Sequence, residues 1–396
     1  MTGKMIKLLT VTTLYPNSAQ PRHGIFVENR LRHLVASGKV ETRIVAPIPW
    51  FPVNLPGFSE YSKFARVVEA DRRFEIEVVH PKYFVIPKIG MNITPLFLFR
   101  SFYNQAKEIM AAGYDFDIID AHYFYPDGVA AVMLGEKMNK PVVITARGTD
   151  INLIPEFPGP RKKILWAAEK SSGIITVCRA LKERLVELGV HGGKIKVLRN
   201  GVDLKMFQPP TDRDALRQKL KIHRKSLLSV GHLIERKGHH LVVEAMKQLP
   251  DIDLYIAGDG PELGPLRRLV KNLGYKDRVF FLGEILHADL KDYYGAVDAL
   301  VLASSREGWA NVLLEAMACG TPVVATKIWG TPEVVAVPEA GFLAEERTSM
   351  ALARAIQLLY ANYPNREATR KYAEKFSWDA TTKGQIDIFF KIMETS

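Results

Sequence analysis

The sequence predicts an α/β protein made of two open, doubly wound, Rossmann-like α/β/α domains in tandem. Three observations carry that reading. Short β-rich runs alternate with longer helical patterns almost throughout, the signature of parallel sheets covered by helices on both faces. At 396 residues the chain exceeds one ordinary core, so two domains of roughly 200 residues are expected. The alternation pauses once, at RNGVDLKMFQPPTDRD. There Asn200-Gly201 favours a left-handed turn, and Pro209-Pro210 with the charged run beyond reads as a linker.

In the first half KLLTVTT, ETRIVAP, FEIEVVH, FDIIDAH, PVVITAR, GIITVC and KIKVLRN read as strands. Between several of them IFVENRLRHLVASG, GVAAVMLGEKMN and RALKERLVELG read as helices. SLLSVG, IDLYIAG, RVFFLG, ALVLAS, TPVVAT and GFLAE repeat the strand pattern in the second half, with HHLVVEAMKQL, ELGPLRRLVKNLG and NVLLEAMACG as helices. Two such domains place a ligand between them, at the carboxyl ends of their strands.

Hydrophobic content of 47% and charged content of 24% are those of a globular protein. A net charge of +11 and a pI near 9.4 imply anionic partners: nucleic acid, phosphorylated ligands or an acidic membrane surface. The basic residues are dispersed and not interleaved with aromatics, which argues against nucleic acid. Cys178 and Cys319 make no disulfide framework and suit a reducing compartment. The N-terminal apolar run carries threonines, stops at a proline and lacks a small-residue cleavage site, so it reads as a first strand. No window approaches the ~18 apolar residues of a membrane span. The expected location is the cytoplasm, with the cytoplasmic face of the inner membrane as a surface to rest on.

SVGHLIERKG is a strand ending in Gly231, a loop with Arg236 and Lys237, then a helix. A glycine there permits close backbone approach, and adjacent cations at a helix start suit a diphosphate; the alternative is a solvated basic turn. IAGDGPELG, with Gly258, Gly260 and Gly264, resembles a dinucleotide fingerprint with one residue too many before its last glycine. It opens the second βα unit of its domain, and Pro261 offers a simple helix start, so a structural turn is expected. Asp115 and Asp117 of DFDIIDAH form the kind of pair that holds a metal in some nucleotide-sugar enzymes, yet Asp117 alternates within a strand. His122 sits past that strand's end and is expected to line the crevice. His239-His240 and Cys319 lack zinc spacing, and no GxSxG, P-loop or HExxH occurs.

PIPWFPVNLPGF, held out of regular structure by four prolines, and YFVIPKIGMNITPLFLFRSFYNQAK mix aromatic and basic residues. They read either as an inward-packed lid or as a surface for lipid headgroups or an amphipathic acceptor. In EGWANVLLE two carboxylates, Glu307 and Glu315, flank an almost wholly apolar run. Acids are rarely deeply buried unless paired, so general acid and base, metal site, polar-ligand clamp and plain solvation are all open from the residues alone.

EGWANVLLEAMACGTPVVATKIWGTPEVV resembles the signature of group 1, family 4 glycosyltransferases, retaining enzymes of the GT-B fold. SVGHLIERKG, IAGDGP, RVFFLG, RNGVD and GIFVENRLRHL follow in the family's order and spacing, and the resemblance covers nearly the whole chain. PRHGIFVENR, PIPWFP, YPDGVAA and ARGTD point to bacterial envelope and exopolysaccharide transferases within it.

The resemblance implies an acceptor-side domain over 1–204, a nucleotide-sugar domain over 205–375 facing it across a cleft, and a last helix over 376–396 that crosses back. Glu315 would hold the ribose hydroxyls and Glu307 the donor sugar. Lys237, with Arg236 or His232, would neutralise the diphosphate, joined by the amides of Ala310, Asn311 and Val312. His232 departs from the arginine that often follows the glycine in the family, and Arg236 is the substitute. Gly283 and Glu284 would lie near the base, Gly24 would leave room for the donor and His122 would approach the reacting sugar. Trp50, Phe51, Arg147 and Asp150 are the acceptor-side candidates. No metal or other cofactor is implied; the nucleotide sugar is a substrate. The partners implied are a UDP- or GDP-sugar, a glycan or lipid-linked glycan acceptor, and an anionic membrane, without nucleic acid. A nucleotide-sugar epimerase of the same fold and an NAD-dependent oxidoreductase using the Gly258 turn are the alternatives.

Overall fold

The computed structural model describes residues 5–50, 64, 66–86 and 90–395. The chain forms two compact units, Met1–Asn200 with Asp379–Ser396, and Gly201–Trp378. In the first, strands β1 (Ile6–Val11), β2 (Val40–Val45), β3 (Ile48–Trp50), β4 (Ala70–Arg73), β5 (Ile76–Val79), β6 (Lys82–Phe84), β7 (Ile118–His122), β8 (Val142–Ala146), β9 (Gly173–Thr176) and β10 (Ile195–Val197) are present. Eight form one sheet in the order β10-β9-β8-β7-β1-β2-β5-β4, parallel except where β4 meets β5. Strands β7, β8 and β9 are buried at every residue, which is why they read as continuous apolar runs. Helices α1 (Ile25–Ala36), α2 (Thr94–Ala111), α3 (Val129–Met138), α4 (Thr149–Asn152), α5 (Pro158–Lys170) and α6 (Arg179–Glu187) connect the strands.

The second unit is a six-stranded parallel sheet of β11 (Lys225–Val230), β12 (Ile252–Ala257), β13 (Val279–Gly283), β14 (Ala299–Leu302), β15 (Val323–Thr326) and β16 (Gly341–Ala344), in the order β13-β12-β11-β14-β15-β16. Its helices are α7 (Arg213–Lys219), α8 (His239–Ala245), α9 (Leu263–Asn272), α10 (Leu290–Ala296), α11 (Asn311–Ala318), α12 (Thr331–Val334), α13 (Ser349–Ala361) and α14 (Arg366–Glu374). Leucine, valine, isoleucine and alanine from strands and helices fill its core. The last helix, α15 (Trp378–Thr395), puts Ile386, Phe389 and Ile392 into the core of the first unit.

Three local readings are corrected. FEIEVVH does not run as one strand: Phe74 and Glu75 take positive φ in a hairpin turn between β4 and β5, and the strand starts at Ile76. The proline-rich stretch is not wholly irregular, since Ile48–Trp50 pairs with Lys82–Phe84; from Phe51 it lies outside the described residues. The Pro209-Pro210 segment is no free linker, because Phe207 is buried beside Tyr294 at 6.0 Å between ring centres. Asp115 and Asp117 have separate partners. Asp115 binds Lys140 at 2.8 Å, while Asp117 accepts the Lys7 backbone N–H at 2.9 Å and so ties the start of β7 to β1.

Candidate active site

In an open parallel sheet, ligands bind where the strand order reverses, because the loops leaving neighbouring strands diverge there. The second unit reverses between β11 and β14. Lys237 follows β11, Glu307 follows β14, and they meet at this point, Nζ to Oε1 at 2.6 Å. Ser304 donates its hydroxyl to the same oxygen at 2.7 Å. Arg236 stands 3.9 Å away and donates to the Arg306 carbonyl at 2.8 Å. The Ser305 N–H donates back to the Arg236 carbonyl, binding the two loops together. Burial alone would push the Glu307 carboxyl up. Lys237 foremost, then Ser304 and Arg236, outweigh it and hold the group below its ordinary range. The carboxylate is therefore ionised at neutral pH.

Helix α11 begins at Asn311, after Ala310 at φ −86° and ψ 86°. Glu307 thus precedes the helix and Glu315 lies inside it. The opening N–H groups of a helix have no acceptor within it, and the helix dipole makes that end attractive to an anion. Ala310, Asn311 and Val312 occupy this end, next to the Glu307 loop. Glu315 is nearly buried with both oxygens engaged: His287 Nε2 lies 2.9 Å from Oε1, and the Tyr294 hydroxyl donates to Oε2 at 3.0 Å. His287 in turn packs edge-on against Phe207 at 5.3 Å.

Gly231 lies against the aliphatic stem of Lys237. His232 is exposed and donates from Nδ1 to the Asp259 carbonyl at 2.7 Å, away from Glu307. Of the two candidates for a second cation, Arg236 is the one that stands near Glu307. Gly283 ends β13 and its carbonyl accepts the Gly258 N–H at 2.7 Å; Glu284 beside it is exposed. The three-glycine turn has a packing explanation, since a Cβ at Gly258 (φ 142°) would collide with the Gly231 carbonyl. The turn's glycine pattern therefore carries no evidence for a dinucleotide.

The first unit reverses between β1 and β7. Thr12 donates to the His122 carbonyl at 2.9 Å, and Thr13 reaches Asp127 through its N–H and hydroxyl at 3.1 and 2.9 Å. At Gly24 (φ 72°) a Cβ would strike the Leu14 carbonyl, so glycine here serves the turn into α1. The reading of His122 as an open crevice residue past the strand is corrected. It is the last residue of β7, fully buried, with Nε2 3.0 Å from Asp120 and Nδ1 accepting from Arg147. Burial, countered by Asp120 and reinforced by Arg147, lowers its pKa to about 4, so the ring is neutral at pH 7. Arg147 also donates to Asn200 at 3.3 Å, and Arg30 donates to Gln385 at 2.8 Å. Asp150 is not displayed on the surface. Its carboxylate is buried and accepts the N–H groups of Phe124, Gly148 and Arg147, holding the loops after β7 and β8. Trp50 is exposed at the end of β3; Phe51 lies outside the described residues.

Ser304, His287, Tyr294, Thr13, Asp120, Asp127 and Arg30 were missed from sequence. Ser304, His287 and Thr13 each lie within a few residues of a strand's carboxyl end, which is the signal that points to them. Tyr294 and Arg30 are on helices, where nothing local distinguishes them from core or surface residues.

Two tandem parallel-sheet units of this topology are those of the GT-B fold. The description Glycosyl transferases group 1 matches residues 212–376 and Glycosyltransferase Family 4 matches residues 26–206. The chain belongs to the group 1, family 4 glycosyltransferases and is an enzyme of that class, which removes the epimerase and oxidoreductase alternatives. It is similar to the putative teichuronic acid biosynthesis glycosyltransferase TuaC of Bacillus subtilis, 27% identical over 368 residues, 89% of this chain and 88% of that one. It is also similar to the N-acetyl-alpha-D-glucosaminyl L-malate synthase of Bacillus anthracis, 32% identical over 253 residues, 61% of this chain and 65% of that one. Among solved structures, HepE of Anabaena in complex with UDP-glucose superimposes with a TM-score of 0.70 at 22% identity, covering 98% of this chain and 99% of that one; this likeness bears on the fold alone.

Proposed function

We propose that the protein is a retaining, metal-independent transferase that moves a sugar from a UDP- or GDP-sugar to a saccharide or lipid-linked saccharide in bacterial envelope polysaccharide synthesis. The observation that carries the reading is the Lys237–Glu307 pair at the switch point of the second unit, beside the opening turn of α11. A diphosphate and a sugar need that combination: cations and helix amides for one, an ionised hydrogen-bond acceptor for the other. The relatives' names, a putative teichuronic acid biosynthesis glycosyltransferase and an N-acetyl-alpha-D-glucosaminyl L-malate synthase, support the reaction class. The UDP-glucose bound to HepE supports the donor class.

In this reading the difficult event is departure of the nucleoside diphosphate. Lys237 and Arg236 take up its charge, and Glu307 turns to hydroxyls of the transferred sugar. Glu315, oriented by His287 and Tyr294, receives the ribose. The acceptor attacks from the face the diphosphate leaves, so no protein nucleophile is needed. The first unit serves the acceptor, and the protein rests on an anionic membrane while doing so. Thermal shift with UDP, GDP and NAD, followed by donor hydrolysis in Lys237→Ala and Glu307→Ala, tests the proposal. Stabilisation by UDP or GDP and loss of hydrolysis in both variants are expected. Stabilisation by NAD alone, or hydrolysis untouched by either substitution, would overturn it.

A further inference from the structure

The first unit carries most of the protein's positive charge. It holds 30 Lys and Arg against 21 Asp and Glu, a net +9, whereas the second unit holds 24 against 22, a net +2. On the same unit, large apolar side chains are exposed together. Met91 and Ile93 lie in the turn that leads into α2, Leu96 is 54% exposed in its first turn, and Phe157, 46% exposed, immediately precedes α5. These pieces adjoin, because Lys163 of α5 donates to the Asn92 carbonyl and Gly159 packs on the Asn92 side chain. Between them runs a groove of about 620 Å³ floored by Phe99, Val129, Met133 and Trp166. Trp50 extends the apolar area through Phe84 and Phe97, with ring centres 6.4 and 5.3 Å apart.

Cations rim this patch. Lys137, exposed, and Lys163, half-buried, line the groove, and Arg100 is exposed next in sequence to Phe99 of its floor. The nearby acids are Glu136, on the groove, and Glu156, which is paired with Arg184 at 2.6 Å. An apolar centre with a basic rim is the chemistry of a surface that settles into the headgroup layer of an anionic bilayer. Among the described residues no helix is long and apolar enough to cross a membrane, so contact here would be from one side.

The location adds a reason. Helix α2 leads into β7, so its first turn lies at the edge of the sheet where β7 ends. The Tyr125 hydroxyl, in the loop just after His122, donates to the Met91 carbonyl at 2.5 Å. The loop that leads on from β8 likewise enters α5 next to Phe157. The patch is thus built onto the two loops that the acceptor side of the proposed reaction would use.

We infer that the first turns of α2 and α5, with the turn at Met91–Ile93, form a docking surface for a bilayer bearing anionic headgroups. The surface brings the carboxyl-end loops of β7 and β8 to a lipid-linked acceptor. This rests on the glycosyltransferase reading for its purpose, while the docking itself is measured independently of it.

The test is flotation of the full chain with vesicles of phosphatidylcholine, alone or with phosphatidylglycerol added, at low salt. Binding to the anionic vesicles only is expected. Leu96→Glu combined with Phe157→Glu should reduce partitioning at least about tenfold. Lys137→Glu combined with Lys163→Glu should reduce it by about fivefold or more per cation. Thermal melting and UDP-induced stabilisation, which report on folding and on the donor site, should stay as in the native chain. Failure of the native chain to float overturns the inference, as does equal flotation on neutral vesicles or flotation indifferent to both double variants. A dimer in gel filtration that Leu96→Glu breaks, without vesicle binding, would assign the patch to a second copy instead. If UDP and GDP stabilise nothing while flotation behaves as expected, the donor reading falls and the docking surface stands.

Discussion

Lys237→Ala removes the ammonium 2.6 Å from Glu307 and leaves a carboxylate whose side chain is only 11% exposed. Removing one partner of a fully buried pair costs about 3–5 kcal/mol. Here Ser304 still donates at 2.7 Å and Arg236 stands at 3.9 Å, so a cost of about 2 kcal/mol at pH 7 is expected. For a unit of this size that lowers the melting temperature by about 4–8 °C. The sign with pH is opposite to that of the native protein. The native carboxyl is held low, so its contribution is present above the ordinary carboxylate pKa and lost as pH falls through the depressed value. In Lys237→Ala burial dominates and the folded pKa rises. The penalty is then present at neutral pH and fades as the carboxyl protonates on acidification. Melts of native chain, Lys237→Ala, Glu307→Ala and the double variant at pH 7.5 and pH 5 measure this. The double variant should be more stable than Lys237→Ala, since it also removes the stranded charge. Donor turnover in Lys237→Ala should fall by about 10²–10³. A Lys237→Ala protein that melts as the native chain does at both pH values, with turnover within a few-fold, would refute the charge-pair reasoning.

Other expectations follow from single contacts. Gly258→Ala forces a Cβ into the Gly231 carbonyl at φ 142°. It should destabilise the second unit by about 3 kcal/mol or more, read as a lower denaturant midpoint. Tyr294→Phe withdraws the hydroxyl from Oε2 of Glu315 and should cost about 1–3 kcal/mol, with weaker UDP binding by calorimetry. Burial foremost, then Lys237, lowers the His239 pKa to about 4, so the unfolded chain protonates first below about 6.5. Stability of the second unit should fall as pH drops from about 6.5 toward 4, and His239→Gln should flatten that fall in hydrogen exchange. Asp127 behaves oppositely, because burial raises its pKa to about 8. Its contribution is full at acid pH and lost as pH rises through about 8, and Asp127→Asn should remove the loss.

Strand positions were legible because parallel strands buried on both faces leave unbroken runs such as PVVITA and ALVL. Gly231 and Lys237 stood out as a strand end followed by glycine and charge, whereas Glu307 stood out with Glu315 as two acids flanking an apolar run, its role coming from the family resemblance. Side-chain direction was not legible. His122 occupies a position that normally faces ligand, yet Asp120 two residues back on the same face and Arg147 just past the next strand hold it inward; the Arg147 partner, 25 residues away, could not be read from spacing. Asp150 sits in the sequence ARGTD like a displayed acid, while its oxygens close three backbone donors. The three-glycine pattern was read as a structural turn, but its cause was not legible: Gly258 is required by a loop 27 residues earlier, a contact made by sheet neighbours and not by sequence neighbours.

The chain leaves the first unit at Asn200 and returns to it at Asp379, so the second unit is an uninterrupted segment and the first is not. Gln385 supplies the partner of the fully buried Arg30, and Phe389 fills the core beneath β1 and its neighbours. During synthesis, therefore, the segment made first cannot finish its core until residues 379–395 have emerged, whereas residues 201–378 already hold everything their sheet requires. Nascent chains stopped before α15 would carry a native second unit attached to a first unit still waiting for its last helix. Quality-control proteases would meet that incomplete unit first, at the end of the protein that was translated earliest.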